Sequence, residues 1–177
     1  MAKKVKNATV TNELPLSVVI QKKETIINTI HADMDRIRNW NEVIDGTTRD
    51  FDIKALYNAI IQNEKELIKI KTLIQFANLG IPFSNEVSKK SNYPLVYELN
   101  NLKERLDFLN MDRASRKFLP CRQGKIKNIV YSSILTEDFI LQEKQLIVTR
   151  MQVIREQLTK FNNDTIVSLS DFDDLPF

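Results

Sequence analysis

Apolar residues recur at alternating steps of three and four along most of this chain, and almost no glycine interrupts them. Three glycines in 177 residues is about a quarter of the ordinary ~7%. A strand-rich fold needs turn residues at short, regular intervals, so this chain is expected to be built from long amphipathic helices.

The first helix is predicted from near Pro15, a residue suited to the first helical turn. It carries Ile20, Ile27, Ile30, Met34, Ile37 and Ile44, with Asn41 in the same register, up to the break at Asp45-Gly46-Thr47-Thr48. The second follows Asp50 as N-cap and carries Leu56, Ile60, Leu67, Ile70, Ile74 and Ala77, with Asn63 on the seam. Its end is signalled by Asn78-Leu79-Gly80-Ile81-Pro82, a glycine stop followed by proline. Residues 83–92 read as a polar loop. A third helix from about Pro94 shows Leu95, Leu99, Leu102, Leu106 and Leu109. A fourth, after Thr136, shows Ile140, Ile147, Met151, Ile154, Leu158 and Phe161 and stops at Asn162-Asn163.

These stripes predict an all-α fold: an elongated set of antiparallel helical hairpins, or a coiled-coil bundle, of about four helices. Narrow seams predict self-association into an oligomer. Asn41 and Asn63 read as polar residues that set register. Trp40 reads as a core residue or a subunit contact. The organisation expected is a basic N-terminal arm (1–14), a helical body (15–162) with a basic insertion (113–136), and an acidic tail (163–177) expected to be disordered.

Several chemistries are excluded. Gly46, Gly80 and Gly124 stand far apart, so neither a dinucleotide fingerprint nor a P-loop can be assembled. Cys121 is the single cysteine and His31 the single histidine, which leaves no disulfide, thiolate cluster or His-based zinc site. His31, with Asp33 and Asp35 nearby, reads as helix-surface decoration rather than an acid–base pair. Cys121 reads as an inert thiol. No catalytic constellation, metal site or cofactor is expected, and the chain is read as a non-enzyme. No apolar run approaches ~18 residues, and the basic start Met1-Ala2-Lys3-Lys4 precedes no apolar signal region. An intracellular location, the cytoplasm of a bacterial host cell, is therefore expected, with no membrane partner.

Two segments depart from the helical pattern. Arg113, Arg116, Lys117, Arg122, Lys125 and Lys127 fall within fifteen residues, and no acidic residue lies between Asp112 and Glu137. Phe118 and Tyr131 accompany them. Cations that neutralise phosphates, interleaved with rings that stack on bases, are the ordinary means of holding a single strand. These eight residues are the candidate nucleic-acid contacts. Lys117-Phe118-Leu119 and residues 126–131, around Gln123-Gly124, are compatible with a small β-hairpin or an irregular loop.

The last fifteen residues hold four of the 23 acids and no base, which leaves 19 acids against 26 bases over residues 1–162. Read as charge alone, this is a +7 body with a −4 leash, and the leash is expected to compete with DNA for the body's basic surface. The chain finishes Ser170-Asp171-Phe172-Asp173-Asp174-Leu175-Pro176-Phe177. This pattern resembles the C-terminal tip of bacterial single-stranded-DNA-binding proteins (SSB), a run of aspartates followed by an apolar residue and Pro-Phe. The resemblance covers about seven of 177 residues and does not extend to the glycine-containing OB barrel of that family. It implies partner binding through Asp171, Phe172, Asp173, Asp174, Leu175, Pro176 and Phe177. The terminal ring would enter an apolar pocket while its carboxylate pairs with a basic rim.

The function expected is that of a non-catalytic accessory protein of DNA replication, recombination or repair. A single-stranded-DNA-binding protein of a bacteriophage or mobile element is the sharpest form of this reading. Its tail would recruit host proteins that read SSB tips. The alternatives are a structural coiled-coil component of a virion or assembly with an incidental acidic tail, and a decoy of the host's tip-reading proteins.

Overall fold

The computed structural model describes residues 14–110 and 131–165. Over these the chain is mostly helical, with one small antiparallel sheet. The order is α1 (Leu16–Trp40), β1 (Glu42–Ile44), α2 (Ile53–Asn78), α3 (Asn85–Lys90), α4 (Tyr93–Asn110), β2 (Tyr131–Ser133) and α5 (Glu137–Asp164).

Local chemistry sets several helix ends. The Asp52 carboxylate accepts the Ala55 N–H at 3.0 Å to start α2, and the Thr136 hydroxyl accepts the Phe139 N–H at 3.3 Å to start α5. Each satisfies a backbone donor that the first turn leaves without a partner. At the end of α2, Gly80 takes φ +66°. That left-handed conformation lets the Gly80 N–H reach the Ala77 carbonyl and the Ile81 N–H reach the Phe76 carbonyl, the paired closure of a glycine-stopped helix.

The helices pack in a bundle. α1 lies antiparallel along α2, with Lys22 paired to Glu66 near one end and Trp40 edge-on to Phe51 at the other. α4 packs on α2 and α5 on α4. The apolar stripes meet in one core: Ile30, Met34 and Ile37 of α1, Ile53, Tyr57 and Ile60 of α2, Leu102 and Leu109 of α4, and Ile147, Met151 and Ile154 of α5. Among the described residues, no helix is long and apolar enough to cross a membrane.

Several sequence expectations change. Ile44 does not extend the α1 stripe: it sits in β1, 51% exposed, because α1 stops at Trp40. Asp52 rather than Asp50 caps α2. The predicted polar loop contains α3, a single capped turn and a half that buries no residue and so carries no apolar period. Tyr131 pairs with Ile44, and Ser133 with Glu42, so the strand that starts at Tyr131 joins the α1–α2 connection. The rest of the expected local hairpin lies outside the described residues. In α2 the buried polar residues are Glu64 and Thr72, not Asn63, and Ala77 faces solvent.

The basic body is also redistributed. The described residues hold 17 Lys and Arg against 18 Asp and Glu, a frame of charge −1. The other nine cations are three in residues 1–13 and six in 111–130, alongside only Glu13 and Asp112. The helices are close to neutral, and the positive charge of the chain is concentrated in two short segments.

Candidate functional site

The six-cation segment leaves α4 at Asn110 and rejoins the described chain at Tyr131. The point of return is a clasp between the α1–α2 connection and residues 132–135. Asn41, directly after α1, is 3% exposed. Its amide pairs with both backbone polar groups of Leu135: Nδ2 donates to the Leu135 carbonyl at 3.2 Å, and Oδ1 accepts the Leu135 N–H at 2.7 Å. The Ile134 N–H donates to the Asn41 carbonyl at 3.3 Å. A side-chain amide thus stands in for one rung of a backbone ladder just past the end of the β1–β2 pair.

Arg49 closes the clasp from the other side. Its Nε donates to the Trp40 carbonyl at 3.1 Å, and Nη2 to the Asn41 carbonyl at 3.2 Å and the Ser132 carbonyl at 2.6 Å. One guanidinium thus binds the Trp40 carbonyl and shares the Asn41 carbonyl with the Ile134 N–H, two acceptors that lie at the end of α1. That is a physical reason for α1 to end where it does. Nearby, the Arg36 guanidinium lies 5.4 Å from the centre of the Phe51 ring in a cation–π contact, and Trp40 meets the same ring edge-on at 6.1 Å. Trp40 is therefore half-buried packing at the clasp.

Of the sequence-predicted nucleic-acid contacts, Tyr131 is placed by its backbone in β2. Arg113, Arg116, Lys117, Phe118, Arg122, Lys125 and Lys127 lie outside the described residues, as do Asp171, Phe172, Asp173, Asp174, Leu175, Pro176 and Phe177. His31 is exposed on α1. No group of three His, Cys, Asp or Glu able to hold a metal occurs among the described residues.

A second polar constellation lies between α2 and α4. Glu64 and Arg105, 7% and 8% exposed, form an ion pair at 3.4 Å, and Asn101 Nδ2 donates to the Glu64 carbonyl at 3.2 Å. Burial pushes the Glu64 carboxyl up to about 7, against the pull of Arg105. Arg105 Nε and Asn101 Oδ1 are buried without a partner. The neighbouring Tyr57 hydroxyl donates to Glu143 at 2.9 Å, and burial raises its pKa well above the ordinary value. These groups tie α2 to α4 and α5. Glu64, Asn101 and Arg105 also line an open cleft together with Lys65, Lys69 and Glu98, and their contacts fix the register of α2 against α4.

Sequence reasoning saw Asn41 as polar on an apolar seam, but it missed Arg49, Glu64 and Arg105. No local signal distinguishes these from other surface charges. The chain matches no protein-family model, no curated protein and no solved structure.

Proposed function

We propose that this chain is a non-catalytic accessory protein of DNA replication, recombination or repair. In this reading the basic segment of residues 113–136 holds single-stranded DNA, and the acidic tail recruits host proteins that read SSB-type tips. The observation that carries the reading is the separation of charge: a helical frame of −1 bears a segment with six cations, whose return point is pinned by Asn41 and Arg49. Cations gathered in one segment, with no acid among them, suit backbone-directed binding of a polyanion. Recruitment through Asp171 to Phe177 rests on the residue pattern, in which Pro176 restricts the chain before the Phe177 ring and the aspartates speed encounter with basic partner surfaces. An origin in a bacteriophage or mobile element belongs to the same reading.

The test is salt-dependent binding to a fluorescent oligothymidylate. Each phosphate contact on a single strand contributes roughly −0.7 to the slope of log K against log salt. Neutralising Arg116, Lys117, Arg122 and Lys125 together should flatten the slope by roughly 3 units. An unchanged slope refutes the assignment. Full-length protein should also be retained by host tip-reading proteins less well when Phe177 is deleted.

One observation favours a structural role in an assembly. Leu141 and Val148 on one flank of the α5 core stripe, and Leu146 and Val153 on the other, are exposed at coiled-coil spacing. An assembly component would show oligomers and no retention on single-stranded DNA at physiological salt.

A further inference from the structure

The end of the bundle at which α5 stops can be identified from its neighbours. α4 and α5 run antiparallel, with Leu109 beside Ile140 and Glu98 bound twice by the Arg150 guanidinium at 2.7 and 2.8 Å. From that pair α5 continues fourteen residues to Asp164, whereas α4 began only five residues earlier at Tyr93. At 1.5 Å per residue α5 overhangs α4 by roughly 13 Å. It delivers the tail to the end where α2 stops and α3 lies, opposite to the clasp.

That end carries an aromatic and cationic patch. Tyr93 and Tyr97 stack nearly parallel, 19° apart with centroids at 6.4 Å, and the Lys71 ammonium lies 5.9 Å from the centre of the Tyr97 ring. Phe83 is 42% exposed. Lys89 and Lys90, in the last turn of α3, are exposed and have no acidic partner among the described residues. Rings flanked by unpaired ammonium groups suit an acidic peptide that itself carries rings.

We propose that this patch is the docking site, within the same chain, of residues 171–177. Asp171, Asp173 and Asp174 would face Lys89, Lys90 and Lys71, and Phe172 and Phe177 would cover Phe83 and the Tyr93–Tyr97 pair. The twelve residues from Ile166 to Phe177 span up to roughly 40 Å when extended, three times the overhang. A tether of that length supplies an effective concentration in the millimolar range, so weak surface contacts suffice. This contact stands independently of the reading of the tail as a recruiting tip. It places the leash on the patch beside its own root, whereas charge alone directed it to the basic segment. Any partner for the tail would have to displace it.

The test is a full-length chain with Phe177→p-benzoylphenylalanine, irradiated as a mixture of unlabelled and ¹⁵N-labelled protein and mapped by mass spectrometry. A second probe at Leu175 guards against damage done by the first. Crosslinks within one chain to residues 79–97 are expected. Their yield should fall about ten-fold in K89E/K90E, the effect of reversing two charge pairs. Crosslinks chiefly to residues 111–130, crosslinks between labelled and unlabelled copies, or none from either probe would each overturn the assignment. So would a yield unchanged in K89E/K90E.

Discussion

Asn41→Ala isolates the clasp. The alanine leaves two backbone groups of Leu135, one donor and one acceptor, without the partners they now have at 2.7 and 3.2 Å. Leu135 is 3% exposed, so water does not reach these groups in the native packing. An orphaned buried polar group costs about 1–3 kcal/mol. The cavity left by the amide admits a water that recovers part of this, since such a site is polar and about one water in size. The expected cost is about 2–4 kcal/mol. With a urea slope of about 2 kcal/mol/M, the unfolding midpoint followed by circular dichroism at 222 nm should fall by about 1–2 M. Amide hydrogen exchange localises the effect, because Leu135 and Ile134 should lose protection before the midpoints of α2 and α5 do. A loss below about 1 kcal/mol with the Leu135 amide still protected would refute the claim that the Asn41 side chain holds this junction.

The Glu64–Arg105 pair predicts an asymmetry. A guanidinium cannot shed its charge, whereas Glu64 takes up a proton readily, so Glu64→Leu should cost more, about 3–5 kcal/mol, than Arg105→Leu. The double variant should recover most of the loss, and urea unfolding of all three would contradict the account if the order of the singles were reversed. The same carboxyl sets a pH dependence. Its folded value of about 7 lies above the ordinary 4.5, so the folded state holds the proton more tightly. Its contribution is therefore fully present below about pH 4.5 and is lost as pH rises through 7. Subtracting the stability profile of Glu64→Gln from that of the parent should show a fall across this window on the order of 3 kcal/mol. A flat difference would show that the carboxyl titrates normally.

Much of the fold was legible in the chain alone, because the signals that make a helix are local. The Gly80 stop and the start of α5 after Thr136 act through neighbours within a turn or two and lie where the sequence placed them, and the three- and four-residue spacing fails locally, at positions such as Ile44, Asn63 and Ala77. Ile147, Met151 and Ile154 could be named as core from spacing alone and are buried. The six-cation, acid-free segment and the acidic tail were likewise visible, since they are facts of composition and need no fold.

Tertiary structure decided what depends on partners far along the chain. Ile44 continues the stripe of α1 in sequence, yet α1 ends because Arg49 binds its last carbonyls and Leu135, 94 residues away, takes the Asn41 amide. α3 was missed because a helix that buries nothing has no period to read. Glu64 and Arg105 look like any surface charges until α4 is laid on α2 and removes both from water. The end of the bundle from which the tail departs follows from helix lengths measured against one cross-helix contact, Glu98 with Arg150. Periodicity fixes which face of a helix is apolar. Which helix covers that face, and therefore which charges meet, is set by packing at distances that no local pattern encodes.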